Sequence, residues 1–169
     1  MPDALKTYVR VVDRFNRGVG RVTMYLIFVM MGILLWSSVS KSFFLPSLWT
    51  LEMAQFVMAA YYLLGGAYSL QLDSHVRMDL AYGRWSPKAK AMVDVVTIFM
   101  LFVYLFFLLY GGVSSTTYAL QYNETSYSSW SPYMAPIKII MVIGIFLTFL
   151  QATSIFIKDL AVAVGRPLA

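Results

Sequence analysis

The chain has 169 residues; 60% are hydrophobic and 17% aromatic, but only 12% are charged. Soluble domains run about 45–50% apolar and about 25% charged, so this composition excludes a disordered chain and an ordinary soluble enzyme and points to a membrane protein. The 13 Lys and Arg residues outnumber 8 Asp and Glu for a net charge of +5, and they flank apolar runs. Topology and anionic lipid headgroups explain such bases better than nucleic acid does. With no cysteine, disulfides, thiolate metal sites, cysteine nucleophiles and dithiol redox pairs are excluded.

From the N-terminus, Leu5, Tyr8, Val12, Phe15, Val19 and Val22 recur at steps of three and four, while Lys6, Arg10, Asp13, Arg14, Arg17 and Arg21 fill the other face. This spacing predicts a basic amphipathic helix over 4–20, lying in the cytoplasmic interface. Gly18 and Gly20 offer it a bend before the first span. The other reading of the same segment is a helix that continues the first span into water or packs on a partner helix.

Four uncharged runs follow: 19 residues between Arg21 and Lys41, 20 between Glu52 and Asp73, 29 between Asp94 and Glu124, and 19 between Lys138 and Lys158. A helix rises 1.5 Å per residue and needs about 20 residues to cross about 30 Å of hydrocarbon. The expected spans are therefore 22–44, 52–72, 92–118 and 136–158, in a single all-α membrane domain covering 1–169. Ser38-Val39-Ser40 at the end of the first run resembles a leader cleavage site, but the run exceeds the usual 7–15-residue apolar region, so an uncleaved helix is expected. The N-terminal tail, the loop between spans two and three and the C-terminal tail hold 11 bases against Lys41 and Lys138 in the other two loops. Both termini are therefore expected in the cytoplasm.

Chemistry is sparse. The uncharged run at the heart of each span holds no Asp, Glu, Lys, Arg or His, although such residues usually mark ion or substrate paths inside a bilayer. His75 is the only histidine, too few for a bis-histidine haem anchor, and with Asp73 and Asp79 it makes a weak metal set. No cofactor is expected in this chain. Gln55 and Gln151 lie inside spans, where amides are expected to bond across helix interfaces. Gly65 with Ser69, Gly111 with Ser115, and Gly144 with Thr148 and Ala152 recur four apart, as faces that let helices approach closely. A docking surface is the best use for these faces.

The loops carry three ordered motifs: Trp49 with Glu52 before span two, where Thr50 is expected to cap the helix; His75-Val76-Arg77-Met78-Asp79 after it; and Trp130-Ser131-Pro132-Tyr133 to Pro136-Ile137-Lys138 leading into span four. With Gly144 and Leu150-Gln151, this set resembles the small membrane subunit of TRAP (tripartite ATP-independent periplasmic) transporters, the DctQ-like family, over nearly the whole length. Many relatives have two acids before span two, whereas here Leu51 precedes a single Glu52. The resemblance implies a multi-pass protein of the bacterial inner membrane that binds a large membrane subunit, which holds the sodium and substrate sites. A periplasmic binding protein delivers the substrate, typically an organic acid. It implies a non-catalytic scaffold, with Trp49, Glu52, Gly65, Ser69, His75, Arg77, Asp79, Trp130, Pro132, Tyr133, Pro136, Gly144 and Gln151 as candidate partner-interface residues. The alternative is a small four-helix membrane enzyme acting on lipophilic substrates. That class needs bases converging on a pocket, and here they sit in tails and one loop.

Overall fold

A computed structural model describes residues 3–72 and 87–163, with side-chain environments over 5–72 and 97–158. Among the described residues there are five helices: α1 (Asp3–Thr23), α2 (Leu26–Phe43), α3 (Thr50–Gln71), α4 (Pro87–Tyr122) and α5 (Ala135–Ala163). The only extended pairing among them is an isolated antiparallel bridge, Thr125 to Tyr133. Three segments are long and apolar enough to cross a membrane: Leu5–Phe43, Thr97–Tyr122 and Ala135–Lys158. The fourth expected span, α3, is 22 residues long but is not among them. Its hydropathy is diluted by Glu52, Gln55, Tyr61, Tyr62, Tyr68 and Gln71.

The helices form an open row rather than a closed bundle. α3 is the hub, packing against α1, α2 and α5, while α4 packs mainly on α5 and α2 mainly on α3. This position accounts for the milder hydropathy of α3, since a helix flanked by neighbours shows little surface to lipid. Leu70, Leu105, Ile145 and Ala152 form the core where α3, α4 and α5 meet. Phe102 of α4 packs edge to face with Phe149 of α5, ring centroids 5.6 Å apart, a favoured aromatic geometry.

α1 docks on α3 and α5. Val9, Val12, Asn16, Gly20 and Thr23 are buried, whereas Phe15 and Val22 of the expected apolar face are 59% and 70% exposed. Asp13, expected on the solvent face, turns inward to a lysine on α5. A polar stripe wins over the apolar one because α5 supplies partners for it. The joint with α2 also differs from expectation: α1 runs helically through Gly18 and Gly20, and the turns tighten at Met24–Tyr25, where Tyr25 N–H bonds to Val22 O at 3.1 Å. Such tightened turns connect helices without a full break. Gly20 is needed for another reason. A Cβ there would meet Tyr68 Cγ at 2.3 Å, so a side chain would separate α1 from α3.

Candidate functional site

At one end of the row, α2 turns into α3 through a serine and threonine knot. Thr50 is fully buried, and its hydroxyl donates to Ser37 Oγ at 3.1 Å. It does not cap α3 as expected: Trp49 occupies the cap position with no side-chain cap bond, and the hydroxyl instead ties α3 to α2. Ser40 Oγ adds a 2.8 Å bond to Leu45 O.

The α4–α5 loop folds over the same end. α4 stops at Asn123, which has φ 48, a left-handed conformation that asparagine tolerates. The Glu124 N–H then returns to Ala119 O at 3.1 Å, the bond pattern of a Schellman stop. The loop is closed by Ser126 N–H to Pro132 O at 3.0 Å and Met134 N–H to Glu124 O at 2.9 Å. Lys138 pairs with Glu124 at 2.5 Å, and Ser126 donates to Glu52 Oε1 at 3.2 Å. Glu52 therefore ties α3 to the loop, while its Oε2 is buried with no partner among the described residues. Trp130 and Tyr133 are left exposed and Pro132 is half-buried. The structure thus brings Glu52 together with the loop that carries the Trp130–Lys138 motif; Trp49, one turn before Glu52, is 38% exposed.

At the opposite end, a polar clasp joins α1 to α5. Asp13 Oδ1 accepts from Gln151 Nε2 at 3.0 Å and from Ser154 Oγ at 3.1 Å, while Asp13 Oδ2 pairs with Lys158 Nζ at 2.5 Å. Asn16 Nδ2 donates to Gln151 Oε1 at 2.7 Å, and Asn16, Gln151 and Ser154 are all buried. Gln71 at the end of α3 donates to Asp13 O at 3.2 Å. The interhelical bonding expected of Gln151 is made within the chain, to α1. The expectation for Gln55 is not met, since that residue is exposed. Sequence reading missed Asp13 and Asn16 as its partners. The available signal was spacing: Asp13 and Asn16 share a face at three residues, as do Gln151, Ser154 and Lys158 at three and four.

The small-residue faces divide in two. A Cβ on Gly144 would meet Leu63 C and O at 2.8 Å, so the Gly144, Thr148 and Ala152 face of α5 is occupied by α3 of the same chain. Gly65 lies against Thr23, 3.7 Å away, and Ser69 is half-buried one turn further on. By contrast a Cβ on Gly111 would have nothing within 4 Å, while one on its neighbour Gly112 would meet Val142 at 3.3 Å. The Gly111 and Ser115 face of α4 therefore points away from the chain. His75, Arg77 and Asp79 lie outside the described residues. Among the described residues no group of three His, Cys, Asp or Glu side chains is placed to hold a metal ion.

Between α1, α3 and the start of α5 runs an apolar groove of about 1560 Å³, reaching from Arg10 and Arg14 to Trp130 and Tyr133. An amphipathic helix clasped to an open row, three segments long and apolar enough to cross a membrane, and an aromatic-rich loop at one end define a helical membrane protein. Residues 30–162 match the family of tripartite ATP-independent periplasmic transporters, DctQ component, and the chain belongs to that family, the small membrane subunit of TRAP transporters. Comparison with curated proteins yields no match.

Proposed function

We propose that the chain is a non-catalytic scaffold for sodium-driven uptake of organic acids across the bacterial inner membrane. It packs on the large transport subunit, which carries the sodium and substrate sites, and its outer loop helps dock the periplasmic binding protein. The observation that carries this reading is the open row. α2 and α4 each have one main neighbour, and Phe99, Phe106, Phe107 and Tyr110 of α4 are each at least 60% exposed. A subunit that presents long apolar faces fits a scaffold.

In this reading α2, α3, α4 and α5 are the four spans, with both termini in the cytoplasm. α1 and α2 together cover 39 residues from Leu5 to Phe43, about twice the length the hydrocarbon core needs, so α1 lies along the cytoplasmic boundary. The basic loop with His75, Arg77 and Asp79 faces that side. Trp49, Trp130, Pro132, Tyr133 and Pro136 face the periplasm. The face offered to the large subunit is the Gly111 and Ser115 stripe of α4, since the Gly144 and Gln151 faces already serve the chain's own helices.

The test is co-purification with the large subunit. Gly111→Leu should not lower the isolated chain's melting temperature, because a Cβ there has open space around it, and should lower recovery of the complex several-fold. Full recovery would move the interface off α4.

A further inference from the structure

The groove beside α1 has a chemistry that the scaffold role does not use. Its walls are mostly apolar, with Phe15 and Val22 of α1 and Met53, Phe56 and Leu64 of α3 in the lining. Two guanidiniums stand at one end, Arg10 and Arg14, one turn apart on α1. Among the described residues neither forms an ion pair or side-chain hydrogen bond. Trp130 and Tyr133 rim the other end, as amphipathic rings do at a membrane boundary.

We propose that this groove binds one anionic phospholipid, its phosphate held by Arg10 and Arg14 and its acyl chains lying along α3. Arginine matches phosphate through paired N–H donors, and no carboxylate among the described residues competes for these two. A partner helix fits the groove less well. Helix contacts in membranes favour small residues that let backbones approach, and this lining is bulky except at Gly18, Thr23 and Ala60. Flexible acyl chains follow such a surface. Bound there, the lipid would fill the space between α1 and α3 and fix the docked helix to the headgroup layer.

The test is native mass spectrometry of the full-length chain in mild detergent, titrated with phosphatidylglycerol, with phosphatidylcholine and glycerol phosphate as separate arms. Phosphatidylglycerol should bind at one per chain, and the other two far more weakly. Arg10→Gln with Arg14→Gln should weaken binding at least about tenfold, the scale of one lost charge-assisted bond. Arg17→Gln with Arg21→Gln removes the same charge outside the groove and should leave binding unchanged. Gly18→Leu, whose Cβ has open space around it, should block binding without unfolding the chain, checked by circular dichroism. Equal losses in the two arginine pairs, or equal affinity for phosphatidylcholine, would overturn the proposal by reducing it to general surface charge or apolar filling. So would a photo-crosslinker at Phe15 that captures the large subunit in place of lipid in native membranes, since the groove would then hold protein.

Discussion

Single atoms decide how closely these helices pack. At Gly144 the added Cβ of alanine would lie 2.8 Å from the backbone carbonyl of Leu63, and backbone cannot rotate away as a side chain can. Gly144→Ala should therefore destabilise the α3–α5 pair by about 1–3 kcal/mol, the usual cost of overpacking. Gly111→Ala meets no neighbour and should be neutral or gain up to about 1 kcal/mol from helix propensity. Thermal unfolding of the two variants in detergent checks the contrast; equal melting temperatures would remove the claim of close approach. The clasp makes a second residue-scale prediction. Gln151→Leu leaves buried Asn16 without its acceptor and Asp13 with one donor fewer, at about 1–3 kcal/mol for an unsatisfied buried group. Adding Asn16→Leu replaces both amides with apolar groups and should recover part of that loss. Additive losses in the double variant would mean that the 2.7 Å bond between them contributes nothing.

At the scale of elements, helix content was legible because charge placement brackets each apolar run. Arg21, Lys41, Glu52, Asp73, Lys138 and Lys158 lie within about five residues of the ends of α2, α3 and α5. α4 extends further at both ends, from Pro87 to Tyr122, since Lys88, Lys90 and Asp94 are compatible with a helix outside the hydrocarbon. The polar part of the packed face of α1 was not legible. Periodicity ranks faces by hydrophobicity, and the face that packs carries Asp13 and Asn16 because Gln151, Ser154 and Lys158 wait on α5. Interhelical pairing is a tertiary fact that no local window contains. The same limit hid the use of Gly144: a small-residue stripe says that something approaches, not whether it is α3 or another protein. Glu52 and the Trp130–Lys138 motif were recognised separately, and only the fold joins them through Ser126. For α3, the least apolar of the proposed spans, side-specific labelling gives a direct check, made simple by a chain without cysteine. Leu48→Cys, before α3, should react with a membrane-impermeant maleimide on intact cells. Leu72→Cys, just after it, should react only once the membrane is opened. Labelling of both from one side would show that α3 does not cross.

At the scale of the whole molecule, the described helices form a row with two open edges, held at one end by the Glu52 and Glu124 contacts and at the other by the Asp13 clasp. That shape makes sense for a subunit whose stability and surface are completed by another membrane protein. It also explains why family membership emerges from ordered weak motifs rather than from a catalytic signature. The described loop and the Gly144 face serve packing within the chain, so neither is chemically distinctive. The most direct measurement is sodium-driven organic-acid uptake into proteoliposomes supplied with the large subunit and binding protein, with and without this chain. A scaffold role predicts that omitting the chain abolishes uptake and that adding it back restores both transport and a stable complex. Full uptake without it, and no complex with the large subunit, would contradict that role.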